Sequence, residues 1–250
     1  MTASAERTAR DVVEVLDHGY VRLIDVLGDD LWVVNAARVS FARESHWQTD
    51  AETGGVPTLA LKDQRLIDFL VREGHTSPFR HPTLAFEVYA PLLVLRQWGK
   101  YRVGSIWTFH DHEDARETWN ESSRRYVTED PVCYCPSEWR SAPEGKKQGS
   151  GAVLPEVAAF TDLMARTISE GQARYTEALA AGICAEQARL FLPAYALYLR
   201  ARWTVSLQGV IHFLQERQDD DAQFEIRAYA EAVRELAAPH FPVSFAAWDL

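Results

Sequence analysis

Hydrophobic and polar residues alternate at the start of the chain. The alternation covers residues 12–27 and is interrupted by Asp17-His18-Gly19, which is typical of two antiparallel strands joined by a tight turn. Asp29 or Asp30 follows at a position suited to an N-cap, and the next residues predict a helix to about Arg38. The chain therefore opens with a predicted hairpin and a short helix.

Helical patterns of apolar residues dominate the remainder of the chain. The polar segment 44–56 predicts a surface loop, whereas Leu59–Glu73 places its apolar residues on one helical face, with Gly74 at the expected C-terminal cap. Thr83–Ala90 predicts a strand, after which Pro91 begins a helix. Further helical patterns cover 92–98, 155–182, 185–192, 207–216 and 221–237, with an extended segment at 203–206.

These elements indicate an α+β fold with a small antiparallel sheet and a helix-rich second half. Residues 143–152 are rich in Gly, Lys and Ser and form the only candidate linker, but this segment is too short to establish a boundary. We expect one domain over residues 1–250.

Composition restricts the class of protein. The chain has 250 residues, of which 47% are hydrophobic and 25% charged, as in folded soluble proteins. Its longest apolar stretch, about 88–95, is too short to cross a bilayer, and residues 1–10 lack the apolar core of a signal peptide. We therefore expect a cytoplasmic protein without membrane contact. The net charge of −10 argues against a nucleic-acid polymer, although a few arginines suffice for a small phosphorylated ligand.

The three cysteines predict no disulfide framework. Cys133 and Cys135 are too close for an unstrained disulfide or the usual zinc pair, and Cys184 leaves an odd number. We expect reduced thiols.

Two polar runs stand out as candidate chemistry. They are Arg96–Arg102 and Asn120–Tyr126, which combine Arg, Lys and Ser, suited to phosphate, with Gln and Asn, suited to a base edge. A solvated helix end and an edge strand would explain both runs without any ligand.

Two single arginines also leave alternatives open. Arg189 lies in an apolar run and needs a partner if it is buried. Arg217 suits either a ligand or a helix C-terminus.

The run His110-Asp111-His112-Glu113-Asp114 contains metal-ligand residue types. Adjacent residues in one loop rarely converge on a single ion without a third element, so a solvated loop is favoured and no metal site is predicted. A metal hydrolase using His110 and His112 remains an alternative.

Six segments, read in order, resemble the flavin-dependent thymidylate synthases. The similarity extends from about Val13 to the C-terminus. The segments are Asn35–Phe41, Gly74–Phe79, Arg96–Trp98, Asn120–Tyr126, Ala188–Pro193 and Phe213–Arg217.

The resemblance implies a homotetramer with FAD at subunit contacts, which methylates C5 of a uridine nucleotide. The carbon comes from methylenetetrahydrofolate and the hydride from NADPH through the flavin. Implied flavin contacts are His75, Ser77, Lys100, Tyr101, Arg102, Ser105, Glu121, Ser206, Gln208 and His212. Implied nucleotide contacts are Gln97, Trp98, Gly99, Lys100, Glu121, Ser122, Ser123, Arg124, Arg125, Arg189 and Arg217, of which Arg217 activates the base.

The chain departs from the family pattern at several of these positions. The signature Arg-His-Arg appears as Lys100-Tyr101-Arg102, and the extra residues within 106–119 interrupt the approach to the nucleotide segment. Ser206, Gln208 and His212 stand where the family usually has Asn, Arg and Asn. This pattern is similar to the variant branch that methylates UMP in polyoxin-type antibiotic biosynthesis, and so predicts a methylase of UMP, dUMP or both. A non-catalytic flavin or nucleotide-binding relative is the alternative that these substitutions raise.

Overall fold

A five-stranded antiparallel sheet organises the chain in the computed structural model, which describes residues 12–49, 55–99, 118–127, 129–145, 149–155 and 157–250. The sheet order is β1-β2-β5-β7-β6, and β3 pairs separately with β4. The strands are β1 (Val12–Val15), β2 (Gly19–Leu27), β3 (Gln48–Thr49), β4 (Pro57–Thr58), β5 (Thr83–Pro91), β6 (Thr118–Glu121) and β7 (Tyr198–Ser206).

Helices follow most of the predicted segments. They are α1 (Asp30–Arg38), α2 (Leu61–Arg72), α3 (Leu92–Trp98), α4 (Ala158–Ala180), α5 (Ala185–Ala188), α6 (Leu207–Arg217), α7 (Phe224–Ala237) and α8 (Pro242–Ala247). The mixed fold with a small antiparallel sheet is thus confirmed. Among the described helices, none is both long and apolar enough to cross a membrane.

Local sequence signals position the first helices. The opening hairpin is confirmed, and the Asp29 carboxylate caps α1 by accepting a hydrogen bond from the Trp32 amide at 3.0 Å. Gly74 follows α2 with φ of +68°, a left-handed conformation that favours glycine and ends the helix. These boundaries agree with the pattern because each depends on one or two residues.

Several predicted boundaries are wrong. Helix α4 begins at Ala158, three residues after Pro155, and the predicted helix 185–192 is α5 followed by a 3-10 turn at Arg189–Phe191. The predicted loop 44–56 includes β3, which pairs with β4. The candidate insertion 106–119 lies outside the described residues except for Thr118 and Trp119.

Strand β7 is the largest difference from the sequence-based expectation. It has nine residues, although only 203–206 showed an extended pattern. Its inward residues Ala201, Trp203 and Val205 are buried, whereas Arg200 and Arg202 are exposed. Because two arginines flank the small Ala201, the alternation of apolar and polar residues is hard to recognise in the sequence before the partner strands are known.

A charged row crosses the opposite face of the sheet. Glu87 on β5 is only 3% exposed, and it lies opposite Arg22 of β2 and Arg202 of β7. Its carboxylate is 2.5 Å from the Arg22 guanidinium and 2.9 Å from the Arg202 guanidinium, and it accepts a hydrogen bond from Tyr20. Arg202 in turn lies opposite Asn120 of the edge strand β6. The row therefore ties the strand that carries the Asn120–Tyr126 segment to the centre of the sheet.

The buried Glu87 carboxylate predicts a measurable loss of stability on substitution. Glu87→Gln removes the charge shared by two guanidinium groups, so we expect the free energy of unfolding to fall by about 2–3 kcal/mol. Exposed Glu73, which pairs with neighbouring Arg72, is the matched control, and Glu73→Gln should change stability by less than about 0.5 kcal/mol. Urea unfolding measures both. Equal effects of the two substitutions would contradict the structural role of Glu87.

Candidate active site

Gln97 and Arg217 line one cavity of about 720 Å³, called here the arginine cavity. Gln97 lies near the end of α3, and Arg217 is the last residue of α6. Gln223 and Glu225, at the start of α7, complete this side of the cavity. Arg217 is 7% exposed, so its charge is held in a fixed and largely desolvated position. The cavity is large enough for a nucleotide base and sugar.

Further lining of the arginine cavity comes from residues 134–142 and 149–150. The Arg140 guanidinium lies 4.1 Å from the centre of the Phe224 ring, and the Ser150 hydroxyl accepts a hydrogen bond from the Phe224 amide at 3.2 Å. These contacts hold the wall against the beginning of α7. The segment 143–152, considered above as a linker, thus includes part of a cavity wall.

A hydrogen-bond chain connects the polar side chains of the cavity. Gln97 Nε2 donates to Gln223 Oε1, and Gln223 Nε2 donates to Glu225 Oε2 at 2.6 Å. Burial raises the pKa of Tyr134 far above its ordinary value, and the nearby Glu225 carboxylate raises it further. Tyr134 therefore remains protonated at neutral pH.

Trp98 occupies the hydrophobic core instead of the cavity. The side chain is 1% exposed, and its ring stacks on Phe213 at 4.4 Å and contacts the edges of Trp203 and Tyr229. A nucleotide contact through this side chain is a wrong expectation, because the ring is surrounded by other aromatic residues. Trp98 anchors the end of α3, so it fixes the position of its neighbour Gln97. Gly99 caps that helix through its amide.

The predicted phosphate-binding segment lies at the edge of the sheet. Ser122 is tied to β7 because its amide donates to the Arg200 carbonyl at 2.7 Å and its hydroxyl accepts from the Arg200 amide at 3.0 Å. The Ser123 hydroxyl accepts from Arg125 Nε at 3.2 Å, and Arg125 is exposed. Glu121 accepts a hydrogen bond from the Trp119 indole at 2.7 Å. Ser123 and Arg125 thus present polar groups at an open surface.

Arg124 turns inward from this segment. It is 8% exposed, its guanidinium lies 5.5 Å from the Tyr175 ring centre, and it donates to the Tyr175 hydroxyl at 3.4 Å. With Ser122 it lines a separate cavity of about 290 Å³. The Arg124 side chain therefore anchors the segment to α4 and does not reach the arginine cavity.

Arg189 also lies apart from the arginine cavity. It is exposed, and its Nε donates to the Glu186 carbonyl at 3.3 Å. Because Arg189 is exposed, its charge does not require a buried partner. Arg189, Ser123 and Arg125 are not among the residues that line the cavity of Gln97 and Arg217.

Two predicted flavin residues, His75 and Ser77, line a third cavity of about 880 Å³, called here the cationic groove. Lys62, Arg65 and Arg80 also line it. The His75 ring packs edge-on against Phe69 at 5.9 Å. The groove combines positive charge with aromatic surface, a combination that suits a phosphate-bearing ring compound.

The remaining flavin candidates of α6 are buried or half-buried beside this region. The Ser206 hydroxyl caps α6 by accepting from the Gly209 amide at 3.2 Å, and the Leu207 amide donates to the Pro82 carbonyl at 3.0 Å. Gln208 is 8% exposed, and its Oε1 has no hydrogen-bond partner in the described structure. His212 is half-buried. Helix α6 packs on the 3-10 turn Ser77–Arg80, which brings the two flavin segments together.

Several candidates fall outside the described residues: Lys100, Tyr101, Arg102, Ser105, His110, His112 and Glu113. Within the described part of the chain, no three His, Cys, Asp or Glu side chains are grouped to hold a metal ion. All three cysteines are free, as expected.

Comparison with known proteins identifies the family. The family model described as Thy1, thymidylate synthase complementing protein, matches residues 22–243. The chain belongs to this family. Flavin-dependent thymidylate synthases from Thermus thermophilus and Thermotoga neapolitana are each 36% identical to it; the alignments cover 95% and 94% of this chain and 78% and 93% of the relatives. This Thy1 family member is therefore an enzyme.

A solved structure extends the similarity to a methylase of UMP and dUMP. It is the UMP/dUMP methylase PolB from Streptomyces cacaoi bound with 5-Br dUMP, with 29% identity, a TM-score of 0.74 and coverage of 95% of this chain and 97% of PolB. The same methylase bound with 5-Br UMP matches with 25% identity and a TM-score of 0.72. The resemblance to this branch of the Thy1 family is thus confirmed.

Sequence reasoning missed Gln223, Glu225 and Tyr134 as site residues. Gln223 and Glu225 lie just beyond the last matched segment, where polar residues at the start of a helix are unremarkable. Tyr134 lies between Cys133 and Cys135, whose spacing bears on disulfide and zinc pairing and not on a ligand cavity. Gln223, Glu225 and Tyr134 line the same cavity because folding brings distant segments of the chain together.

The cysteines should be dispensable for the chemistry. Burial raises the pKa of Cys133 to about 11, so its thiolate is scarce at neutral pH, whereas Cys184 is exposed. We expect a thiol reagent at pH 7.5 to label Cys184 first and Cys133 last. The triple Cys→Ser variant should keep its methylation rate per flavin-loaded subunit. Loss of that rate in Cys133→Ser alone, with flavin retained, would instead indicate covalent catalysis.

Proposed function

We propose that this chain methylates C5 of UMP and dUMP, using methylenetetrahydrofolate as carbon donor and FAD reduced by NADPH as hydride source. The observation that carries the proposal is that buried Arg217 and Gln97 line the same cavity, which is of base and sugar size. The names of the relatives support it, since they are flavin-dependent thymidylate synthases and a UMP/dUMP methylase bound with analogues of both nucleotides.

Arg217 acts on the pyrimidine ring in this proposal. Uracil C5 is a weak carbon nucleophile, and it becomes competent when electron density rises in the ring. A fixed guanidinium that donates to a ring carbonyl at the N3–C2–O2 edge stabilises the negative charge that develops there. The low exposure of Arg217 strengthens this effect because little water screens it. No enzyme nucleophile is required.

The charges around the arginine cavity favour the uncharged end of the nucleotide. Its described lining residues include four carboxylate side chains and two arginines. A dianionic phosphate would be repelled there, while a neutral uracil would not. The carboxylates are Glu138, Glu216, Asp221 and Glu225, and the arginines are Arg140 and Arg217. The base therefore binds in this cavity and the phosphate binds elsewhere.

We assign the phosphate to Ser123, Arg125 and Arg189, which are apart from the arginine cavity in one subunit. Exposed apolar residues surround these groups: Leu190 is 81% exposed and Tyr126 is 77% exposed. Such surface is typical of subunit contacts. The homotetramer expected for the family would cover it and would bring the phosphate groups of one subunit to the base cavity of another.

The cationic groove fits FAD by its chemistry. Lys62, Arg65 and Arg80 suit a pyrophosphate, the Phe69 and His75 rings suit an aromatic ring system, and the partnerless Gln208 Oε1 offers an acceptor nearby. His75, Ser77 and Gln208 would hold the flavin, which supplies hydride when bound. Helix α6 carries both Gln208 and Arg217, so one rigid element relates the flavin residues to the base.

Substitution of Arg217 tests the function. The wild-type protein should be yellow, should be bleached by NADPH, and should methylate UMP and dUMP. Arg217→Ala should lower the single-turnover rate by about 10²–10³ while flavin binding is retained. Arg217→Lys should recover little, because an ammonium lacks the planar pair of donors.

The matched control is Arg234→Ala, an exposed arginine in the last turn of α7. It should have the wild-type rate. Wild-type turnover in yellow Arg217→Ala would remove Arg217 from the mechanism. A yellow protein that NADPH does not bleach would favour the flavin-binding relative, and a colourless zinc protein would favour the hydrolase.

The segment 106–119 is expected to influence the choice between ribose and deoxyribose. In the sequence it directly precedes Asn120 and Glu121, which together with Tyr101 are the candidate partners for a 2′-hydroxyl. Additional room would give tolerance of both sugars, whereas a paired polar group would give a preference. The measurement is kcat/KM for UMP and dUMP in the intact enzyme and after excision of 106–117. An unchanged ratio in a folded, excised enzyme would contradict this role, as would complete failure to methylate UMP.

A further inference from the structure

The hydrogen-bond chain in the arginine cavity has a defined direction. Its members are Gln97, Gln223 and Glu225, which come from α3 and from the start of α7. An amide can present either a donor or an acceptor to a neighbour, but an ionised carboxylate only accepts. Glu225 therefore determines how the two amides are oriented.

The orientation propagates from Glu225 to Gln97. Gln223 must turn its Nε2 toward the carboxylate, and the 2.6 Å contact is of the short length typical of a charge-assisted bond. Its Oε1 is then left to face Gln97, which must donate from Nε2. The Gln97 carbonyl oxygen is consequently the acceptor that remains for the cavity, which Gln97 lines.

Tyr134 is a second donor group near Glu225. The phenol is buried, and burial together with the nearby Glu225 carboxylate raises its pKa, so it remains protonated. Reversal of the Gln223 amide would turn its carbonyl oxygen toward the Glu225 carboxylate, which would place two acceptors against each other.

We infer that Glu225 and Gln223 are positioning residues that make Gln97 an acceptor for the N3–H group of uracil, and that they thereby select uridine over cytidine nucleotides. This inference rests on the proposed function. At N3, uracil carries a hydrogen, whereas cytosine carries a lone pair that would face the Gln97 carbonyl oxygen. An acceptor opposite an acceptor leaves both groups unpaired, which binding sites reject strongly.

The same contact supports the chemistry. A carbonyl oxygen that accepts the N3–H bond draws the proton toward itself and shifts electron density into the ring. Arg217, which lines the same cavity, stabilises that density at a ring carbonyl. Gln97 thus acts on the ring as a hydrogen-bond acceptor, and Arg217 acts as a donor. The direction of the hydrogen-bond chain keeps these two roles distinct.

Glu225→Gln tests the inference because it is nearly isosteric and can donate. The introduced amide would accept from Tyr134 through its oxygen and donate to Gln223 through its nitrogen, which reverses both native amides and turns the Gln97 Nε2 to the cavity. We expect the ratio of UMP to CMP affinity, about tenfold or more in the flavin-loaded wild type, to fall by about tenfold. Isothermal titration calorimetry with UMP and CMP measures it. Gln223→Met, which breaks the chain, should also reduce the ratio and serves if Glu225→Gln does not fold.

The matched control is Glu231→Gln, which removes the same charge from an exposed position of α7. It should keep the wild-type ratio. If UMP binds and Arg217→Ala weakens its binding, but Glu225→Gln and Gln223→Met keep the wild-type ratio, this inference fails and the proposed function stands. A wild type without preference for UMP over CMP also overturns it. If the wild type binds neither UMP nor dUMP, the proposed function fails as well.

Discussion

The packing of Trp98 is the constraint on which the geometry of the site depends. Its ring lies between Phe213 of α6, Trp203 of β7 and Tyr229 of α7, so one buried side chain joins three elements to the end of α3. Gln97 precedes Trp98, and Arg217 follows Phe213 by one helical turn. The distance between the two polar residues is therefore set by aromatic contacts behind them. Loss of such a ring leaves a cavity that the surrounding helices fill only by moving.

The sheet imposes a second constraint on a different part of the site. Glu87 holds Arg22 and Arg202 across three strands, and the next strand outward carries Asn120 and Glu121. The predicted phosphate-binding segment is thus anchored to the sheet, while the arginine cavity is anchored to the helices. Strand β7 belongs to both anchors, because Arg202 pairs with Glu87 and Trp203 contacts Trp98, so this strand links the two parts of the candidate site.

The sequence predicts the fold well where a few neighbouring residues decide the structure. The Asp29 cap and the Gly74 terminus depend only on local chemistry. Strand β7 was underestimated because its partners, and not its own pattern, make it a strand. Trp98 was misassigned for a related reason: a matched motif identifies a residue but does not indicate whether its side chain faces a ligand or the core.

The separation of the two halves of the site has a consequence for activity. The arginine cavity, proposed above as the base site, carries carboxylates that disfavour phosphate, and the exposed Arg125 and Arg189 are not among its lining residues. A nucleotide bound to one isolated subunit would then satisfy only its base or only its phosphate, at a loss of several kcal/mol of charge-assisted bonding. In the proposed homotetramer, assembly would join the two halves, so substrate binding and subunit association would stabilise each other through the same contacts. The exposed apolar residues beside Arg189 and Arg125 lie where that coupling requires a partner surface.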